Sequence, residues 1–405
     1  MEEDGIPEFD LINPTESHMM LREMVRDFVD KKVESQSLKH DREEKFNIEL
    51  FRELGGLGLL GLTVSEIYGG SELDPVSAVI VHEELASSDP AFTLSYLAHS
   101  MLTANNLSLN GSDKQKQRYL PGLCSGELIG CMAMSEPDYG TDVMGMKTTA
   151  KLNSDGNWEI NGNKMWITNG SIDEEGTPAD LVWLYAKTGE NEKGRAEISS
   201  FLIERGMQGY SVGQKIYDKA GMRASNTAEL VFENCIVPPE NLVGSVGGSI
   251  LHMMRNLELE RIALAAMSLG IARRSLHEMN KYATERTSFG KPIREYGQIQ
   301  RHIAESYAEY KAMQAYVYNT ARLINLESGG YRLDTDGVKI FATTAAKNIA
   351  DRAIQVMGGY GYVGEYVVER LWRDSKLLEI GGGTIEAHQK NMTKELFNNP
   401  EFIFK

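Results

Sequence analysis

Cysteine is scarce in this sequence, and its scarcity limits the kinds of site the chain can hold. The 405 residues contain three cysteines, Cys124, Cys131 and Cys235. An odd number at these spacings argues against a disulfide scaffold and matches no zinc-ligand pattern. We therefore expect reduced thiols and no metal site.

Long apolar runs are also missing. No apolar segment reaches the roughly 18 residues of a membrane-spanning helix, so we expect no membrane span. The first ten residues, MEEDGIPEFD, are acidic and resemble neither a secretory signal nor an arginine-rich transit peptide. A processed mitochondrial chain could start in the same way, so this segment leaves the compartment open.

Positive charge is in deficit. The chain has 42 Lys and Arg against 58 Asp and Glu, which gives a formal net charge of -16. A polyanion would be repelled by such a protein, so we expect no nucleic-acid partner. A single nucleotide bound in a locally basic site remains compatible with this charge.

Hydrophobic periodicity divides the chain into three parts. Apolar residues recur every three or four positions at both ends, and they alternate with polar residues in the middle. Helices are predicted at 48–54, 76–86, 114–120, 300–326 and 336–357. Strands are predicted at 158–161, 181–186, 199–203 and 229–232. The helix–strand–helix order predicts an α+β fold with domains at 1–129, 130–243 and 244–405.

Two further local signals refine this division. Asp155-Gly156 before an alternating segment predicts a hairpin turn. Ser249 follows a glycine-rich linker, and we predict that it is the N-cap of a long helix reaching Tyr282.

A glycine-rich stretch from Gln355 to Thr384 carries the most distinctive pattern of the chain. Gly359, Gly361 and Gly364 spell GxGxxG. A dinucleotide-binding fingerprint would need a strand before these glycines. A helical stripe precedes them instead, so this pattern does not predict a Rossmann site.

Two separate motifs resemble signatures of the acyl-CoA dehydrogenase family. One is MSEPDYGTD, from Met134 to Asp142. The other lies in the glycine-rich stretch and consists of Gln355, Gly358, Gly359, Gly361, Tyr362, Glu365, Arg370 and Asp374. The resemblance extends over nearly the whole chain and is nearest to the isovaleryl-CoA branch.

This resemblance implies an architecture, a cofactor and partners. The expected fold has an N-terminal α-helical domain, a middle antiparallel β domain and a C-terminal four-helix bundle. The implied cofactor is FAD, and the implied substrate is an acyl-CoA. The resemblance further implies electron-transferring flavoprotein as the electron acceptor, a homotetramer, and a location in the mitochondrial matrix or, in a bacterium, the cytoplasm.

The resemblance also implies which residues bind FAD. Trp166 is expected near the flavin ring, with Thr168 bonding to the ring. Arg286 is expected to reach the FAD diphosphate of a neighbouring subunit, because the guanidinium fork binds phosphate oxygens bidentately. The full expected set is Met132, Met134, Ser135, Gly140, Thr141, Trp166, Ile167, Thr168, Arg286, Gln355, Val356, Met357, Gly358, Gly359, Thr384, Ile385 and Glu386.

Glu260 is the candidate catalytic base. It lies on a helical stripe whose apolar members are Met253, Leu257, Leu264 and Met267. A carboxylate on such a stripe is either paired with a neighbour, here Arg255 or Arg261, or desolvated. Desolvation would raise its pKa and suit it to proton abstraction.

The family resemblance favours the catalytic interpretation. Most members carry a loop glutamate in a YEGT sequence, whereas this chain has Gly381-Gly382-Gly383-Thr384. In the isovaleryl-CoA branch the base is instead on a helix, in a sequence that corresponds to Leu259-Glu260-Arg261. Residues expected to bind the substrate are Thr141, Glu258, Arg261, Gly382 and Gly383.

The implied reaction is the α,β-dehydrogenation of a short branched-chain acyl-CoA, with isovaleryl-CoA favoured. The 2-methylbutyryl and isobutyryl thioesters are alternatives, as is a non-catalytic relative that binds flavin or CoA. The chain departs from the family pattern at Leu97, Tyr139 and Gly297. These departures bear on substrate choice more than on flavin binding.

Overall fold

Helices make up the first part of the chain. The computed structural model describes residues 10–326 and 328–404. The helices of this part are α1 (Glu16–Phe28), α2 (Glu34–Glu43), α3 (Ile48–Gly56), α4 (Pro75–Ala86), α5 (Pro90–His99), α6 (Asn106–Asn110) and α7 (Asp113–Ser125). Short π-helical segments continue α1 into α2 and α5 into α6.

Periodicity predicted α3, α4 and α7 but not α5 and α6. Every residue from 90 to 107 is buried except Leu94, which is half-buried. Residues 76–86 of α4 are buried as well, so burial alone does not separate the predicted helix α4 from the missed helix α5. The boundaries of α4 and α7 are marked by polar caps, since Asp74 accepts from the Ser77 N–H and Ser112 forms a capping box with Gln115.

A twisted sheet forms the middle of the chain. Its strands are β1 (Gly130–Ala133), β2 (Thr149–Leu152), β3 (Trp158–Thr168), β4 (Leu181–Glu190), β5 (Ala196–Glu204), β6 (Tyr210–Lys215), β7 (Thr227–Val237) and β8 (Leu242–Val243). They lie in the order β6-β7-β3-β2-β4-β5-β8, and β1 pairs with β4. Five of the pairs are antiparallel as expected. The β1–β4 and β2–β4 pairs are parallel, so the sheet is mixed.

The C-terminal part is helical. Its elements are α8 (Ser249–Glu285), the hairpin β9 (Thr287–Ser288) and β10 (Lys291–Pro292), α9 (Gly297–Leu323), α10 (Arg332–Met357), α11 (Val367–Ile380) and α12 (Ile385–Asn398). Helices α8 to α11 pack on one another as the expected four-helix bundle, and α12 packs on α10. The start of α8 corrects one prediction, because Gly248 is the N-cap residue and Ser249 is already helical. The buried Ser249 hydroxyl has no hydrogen-bond partner in the described part of the chain.

The three parts are packed into one molecule. Buried residues of α1, α4 and α5 share a single hydrophobic core with α8 and α10. Gly270 permits the contact between α8 and α4, since a Cβ there would lie 2.3 Å from the Glu83 carbonyl oxygen. Met222 donates its N–H to Asp374, at 2.6 Å, and so ties the strand-rich part to α11.

Within the described ranges, no helix has the length and apolar character needed to cross a membrane. The same residues contain no cluster of His, Cys, Asp and Glu side chains suited to hold a metal ion. The three cysteines are free and buried.

Candidate active site

Glu260 is a buried carboxylate that forms no ion pair with any residue that the structure describes. It lies in α8 and is 7% exposed, and its Oε2 atom has no hydrogen-bond partner within 10–326 and 328–404. The expected alternative, pairing with Arg261 or Arg255, is wrong: Arg261 pairs with Asp336 at 2.9 Å, and Arg255 is exposed. Burial raises the pKa of Glu260 to about 7, although the nearby cations Arg261 and Lys339 lower it. A carboxyl group with such a pKa can exchange a proton near neutral pH.

The loop of Gly381, Gly382 and Gly383, called the glycine loop below, lies directly against the Glu260 carboxylate. A Cβ placed on Gly382 would be 3.4 Å from both Cδ and Oε1 of Glu260 and 2.4 Å from Cδ1 of Leu264. Gly382 has a φ of 65°, a conformation that favours glycine. Residue 260 on α8 and residue 382 in the loop, the two alternative positions of the base implied by the family resemblance, are thus neighbours in space. A side chain at 382 would need the space that Leu264 now fills.

Three charged or polar side chains behind the loop were missed by sequence reasoning. Lys339 donates from Nζ to the Gly383 carbonyl, and His388 Nε2 lies 3.1 Å from the Gly382 carbonyl oxygen. His388 Nδ1 lies 2.7 Å from Asp336. Asp336 and Lys339 are three residues apart on the buried face of α10. Glu260 was recognised as a polar residue on an apolar helical stripe. Asp336 and Lys339 lie on the buried face of α10 in the same way, so the same pattern could have identified them.

Trp166 presents a large aromatic surface to the outside. The residue is 62% exposed and has a φ of 66°, at an irregularity of β3 between Lys164 and Ile167. A non-glycine residue in this conformation costs about 1–3 kcal/mol, and such strain is concentrated at functional sites. An exposed indole held in this way offers a face on which a flat ring can stack.

The residues around Trp166 include most of the first signature. The Met165 N–H donates to the Ser135 carbonyl at 2.9 Å, so the end of β1 runs beside β3. The buried Lys164 supports this arrangement by donating to the Met134 carbonyl at 2.9 Å and to Glu136 at 3.0 Å. Met132, Met134, Ser135, Trp166, Ile167 and Thr168 are therefore brought together, and Gly140 and Thr141 follow on an exposed segment.

A second group of predicted cofactor residues lies elsewhere. Arg286, at the end of α8, is exposed, and so are Gln355, Gly358 and Gly359 at the end of α10. The two ends are adjacent, since the Tyr282 and Tyr360 rings are 6.0 Å apart. Val356 and Met357, between them, are buried.

The length of α8 separates Arg286 and the end of α10 from the candidate base, Glu260. Twenty-six residues separate Glu260 from Arg286, which corresponds to about 39 Å of helix. One chain therefore does not bring all the predicted cofactor residues into one site.

The remaining predicted residues make contacts within the chain. Thr384 caps α12 by accepting from the Ala387 N–H at 3.2 Å, with Ile385 and Glu386 in the first turn. The Glu258 carboxylate accepts from the Gly330 and Tyr331 N–H groups, at 3.2 Å each. Glu258, like Arg261, thus holds other parts of the protein in place.

Replacing Glu260 by Gln should stabilise the protein at high pH. The carboxyl group has a higher pKa in the folded chain than its ordinary value of 4.5. Ionised Glu260 therefore destabilises the folded state once the pH exceeds the pKa of the unfolded state. This loss of stability grows until the pH passes the folded-state pKa of about 7. We expect Glu260→Gln to raise the free energy of unfolding by about 1–3 kcal/mol at pH 8, with the difference vanishing near pH 4.

Thermal unfolding of both proteins across this pH range would measure the effect. Glu305→Gln, an exposed carboxylate on α9, is the control and should show no such pH-dependent gain. Equal stability of Glu260→Gln and the wild type at pH 8 would contradict the absence of a counter-ion.

Sequence profiles of one family match all three parts of the chain. The N-terminal, middle and C-terminal domains of acyl-CoA dehydrogenase match residues 15–127, 131–235 and 250–397. The chain is 41% identical over 385 residues to mitochondrial isovaleryl-CoA dehydrogenase of Solanum tuberosum, covering 94% of this chain and 91% of that protein. It is 39% identical over 387 residues to 2-methylacyl-CoA dehydrogenase of the same plant, covering 95% and 91%.

A solved structure gives the same result. Butyryl-CoA dehydrogenase from Megasphaera elsdenii superposes with a TM-score of 0.89 at 33% sequence identity, over 95% of this chain and 98% of that one. The chain therefore belongs to the acyl-CoA dehydrogenase family, whose members are FAD-dependent oxidoreductases.

Proposed function

We propose that this protein oxidises a short branched-chain acyl-CoA, with isovaleryl-CoA as the substrate and 3-methylcrotonyl-CoA as the product, a step of leucine catabolism. The observation that carries the proposal is the buried, unpaired Glu260 beside the glycine loop. A carboxylate with no structural partner and a pKa near 7 has the properties of a general base. A non-catalytic relative would have no use for it.

The chain offers residues that fit FAD. The exposed Trp166 indole and the adjacent backbone of Met134 and Ser135 form a surface suited to the flavin ring. Arg286 supplies an exposed guanidinium for a diphosphate. Bound FAD would take up the hydrogen that leaves the β-carbon as hydride.

Glu260 would remove the proton from the α-carbon of the thioester. This proton is weakly acidic, so removal requires hydrogen-bond donors at the carbonyl oxygen, where negative charge develops. We propose the Gly382 N–H as one such donor. The α-proton would then reside on Glu260, and a double bond would form between the α- and β-carbons.

Two leucines of α5 support a short substrate. Leu97 is 1% exposed and stands where the family resemblance implies a glycine. The half-buried Leu94 lies one turn earlier. We propose that these two leucines shorten the acyl tunnel and that Gly381 leaves room for a branch. The 2-methylbutyryl and isobutyryl thioesters are the nearest alternatives.

The separation of Arg286 from Glu260 supports an assembly. Since about 39 Å of α8 lies between them, we propose that each FAD is held by two subunits of a homotetramer. The electrons would pass to electron-transferring flavoprotein. The proposed location is the mitochondrial matrix in a eukaryote, or the cytoplasm in a bacterium.

A series of acyl-CoA substrates tests the proposal. Turnover of isovaleryl-, 2-methylbutyryl-, isobutyryl-, butyryl- and octanoyl-CoA should be measured with a dye acceptor and the purified, FAD-loaded protein. We expect isovaleryl-CoA to have the highest kcat/KM. Faster turnover of octanoyl-CoA would contradict the short pocket, and no turnover of any thioester would indicate a binding protein without catalysis.

The position of the base can be tested by moving it. Glu260→Gln should slow the anaerobic reduction of bound flavin by about 10²–10⁴-fold, because the amide cannot accept the proton. Adding Gly382→Glu to Glu260→Gln should restore little of the rate of flavin reduction, since a Cβ at residue 382 would lie 2.4 Å from Leu264 Cδ1. Adding Leu264→Ala as well should restore part of the rate. Leu264→Ala alone is the control, and an unchanged rate in Glu260→Gln would remove Glu260 as the base.

Mixed assemblies test whether two subunits share each FAD. Arg286→Ala should weaken FAD retention, since a charge-assisted hydrogen bond contributes about 1.5–3 kcal/mol. Arg52→Ala, an exposed arginine on α3, is the control. Co-expression of Arg286→Ala with Glu260→Gln should recover activity, because a shared site can combine Glu260 of one chain with Arg286 of the other. If both residues serve the same chain's site, the mixture stays as inactive as its components.

A further inference from the structure

The carbonyl groups of Gly382 and Gly383 are each held by a polar side chain from a neighbouring helix. Lys339 of α10 donates to the Gly383 carbonyl, and His388 of α12 contacts the Gly382 carbonyl at 3.1 Å. Both side chains are buried. Neither belongs to the substrate, cofactor or base positions identified from sequence.

His388 is itself fixed by a buried acid. Its Nδ1 atom lies 2.7 Å from Asp336 Oδ1, and the same oxygen lies 2.9 Å from Arg261 Nε. Arg332 lies 3.8 Å from the other oxygen of Asp336, so two arginines lie close to this carboxylate. The two partners of the imidazole, a carboxylate and a carbonyl, are both acceptors.

This arrangement decides where the loop N–H groups point. In a trans peptide, N–H and C=O point in opposite directions. The Gly382 and Gly383 carbonyls face His388 and Lys339, so the N–H groups that share those peptides, which belong to Gly383 and Thr384, point away from these side chains. Within residues 10–326 and 328–404, the N–H groups of Gly382, Gly383 and Thr384 make no hydrogen bond. The loop therefore carries free N–H donors at and next to Gly382, the residue that lies against Glu260.

Close packing makes the arrangement rigid. A Cβ on Gly383 would lie 2.9 Å from His388 Nε2, and Gly383 has a φ of 95°. The His388 ring fills the space behind the glycine loop, so we expect a substitution of His388 to alter the position of the loop.

We propose that Asp336 and His388 are positioning residues that orient the loop N–H groups toward the thioester carbonyl oxygen. The proposal rests on the proposed function, because it assigns these groups to the carbonyl that Glu260 activates. His388 would act through the Gly382 carbonyl, and thus on the Gly383 N–H that shares its peptide. Asp336 keeps the ring oriented, and Arg261 fixes Asp336.

Three variants separate positioning from general structural support. His388→Ala removes the contact with the Gly382 carbonyl, whereas His388→Gln keeps an N–H donor of similar reach. Asp336→Asn keeps the shape of the side chain but removes its charge. Gln389→Ala, an exposed neighbour on α12, is the matched control.

The first measurement is exchange of the α-hydrogen of isovaleryl-CoA with deuterated solvent, followed by mass spectrometry on the FAD-loaded protein. This exchange reports proton abstraction and carbonyl activation without requiring the β-hydrogen to leave. We expect a 10–100-fold slower exchange in His388→Ala, a smaller loss in Asp336→Asn, and partial recovery in His388→Gln. Removing one oxyanion donor outright costs about 10²–10³-fold elsewhere, and a misplaced donor should cost less.

The second measurement compares the binding of isovaleryl-CoA with that of its thioether analogue, which lacks the carbonyl oxygen. His388→Ala should weaken thioester binding while thioether binding, FAD content and Tm stay within the range of Gln389→Ala. Unchanged exchange in His388→Ala would overturn the proposal. So would an equal loss of thioester and thioether binding with a lower Tm, which would identify a purely structural role. A wild-type protein that exchanges the α-hydrogen of no acyl-CoA would instead refute the proposed function itself.

Discussion

An uncompensated carboxylate in the interior is the constraint on which the site depends. Removing an ionised Glu from water is unfavourable unless a cation or hydrogen-bond donors replace the solvent. Two cations lie close enough to Glu260 to influence its pKa, yet neither forms an ion pair with it. Arg261 is bound to Asp336, and Lys339 is bound to the Gly383 carbonyl. The fold thus keeps positive charge near the base without neutralising it.

The glycine loop and the helix position of the base are two parts of one arrangement. Leu264 Cδ1 fills the space where a side chain of residue 382 would begin, and Glu260 lies just beyond it. A carboxylate on the loop and the present side chains of α8 could not occupy this volume together. The absence of a loop glutamate and the presence of Glu260 therefore follow from the same packing.

Sequence patterns were sufficient where one element carries the signal. The period of α8 placed Glu260 on a helical stripe, and the first signature predicted residues that the structure brings beside Trp166. Patterns failed for α5, and for Ser249, which is already helical because Gly248 is the N-cap residue. His388 was missed for a different reason: its partners, Asp336 and Gly382, are on separate elements. No spacing along one helix could predict that these three residues meet.

The most direct test of this account is a titration of the Glu260 carboxyl group. Infrared difference spectra of the ligand-free protein, recorded against Glu260→Gln over a range of pH, would isolate the carbonyl stretch of the protonated acid. We expect this band to disappear with a midpoint near pH 7, because burial raises the pKa of Glu260 to about 7. A midpoint near the ordinary value of 4.5 would show that Glu260 is solvated or paired, and would contradict the account.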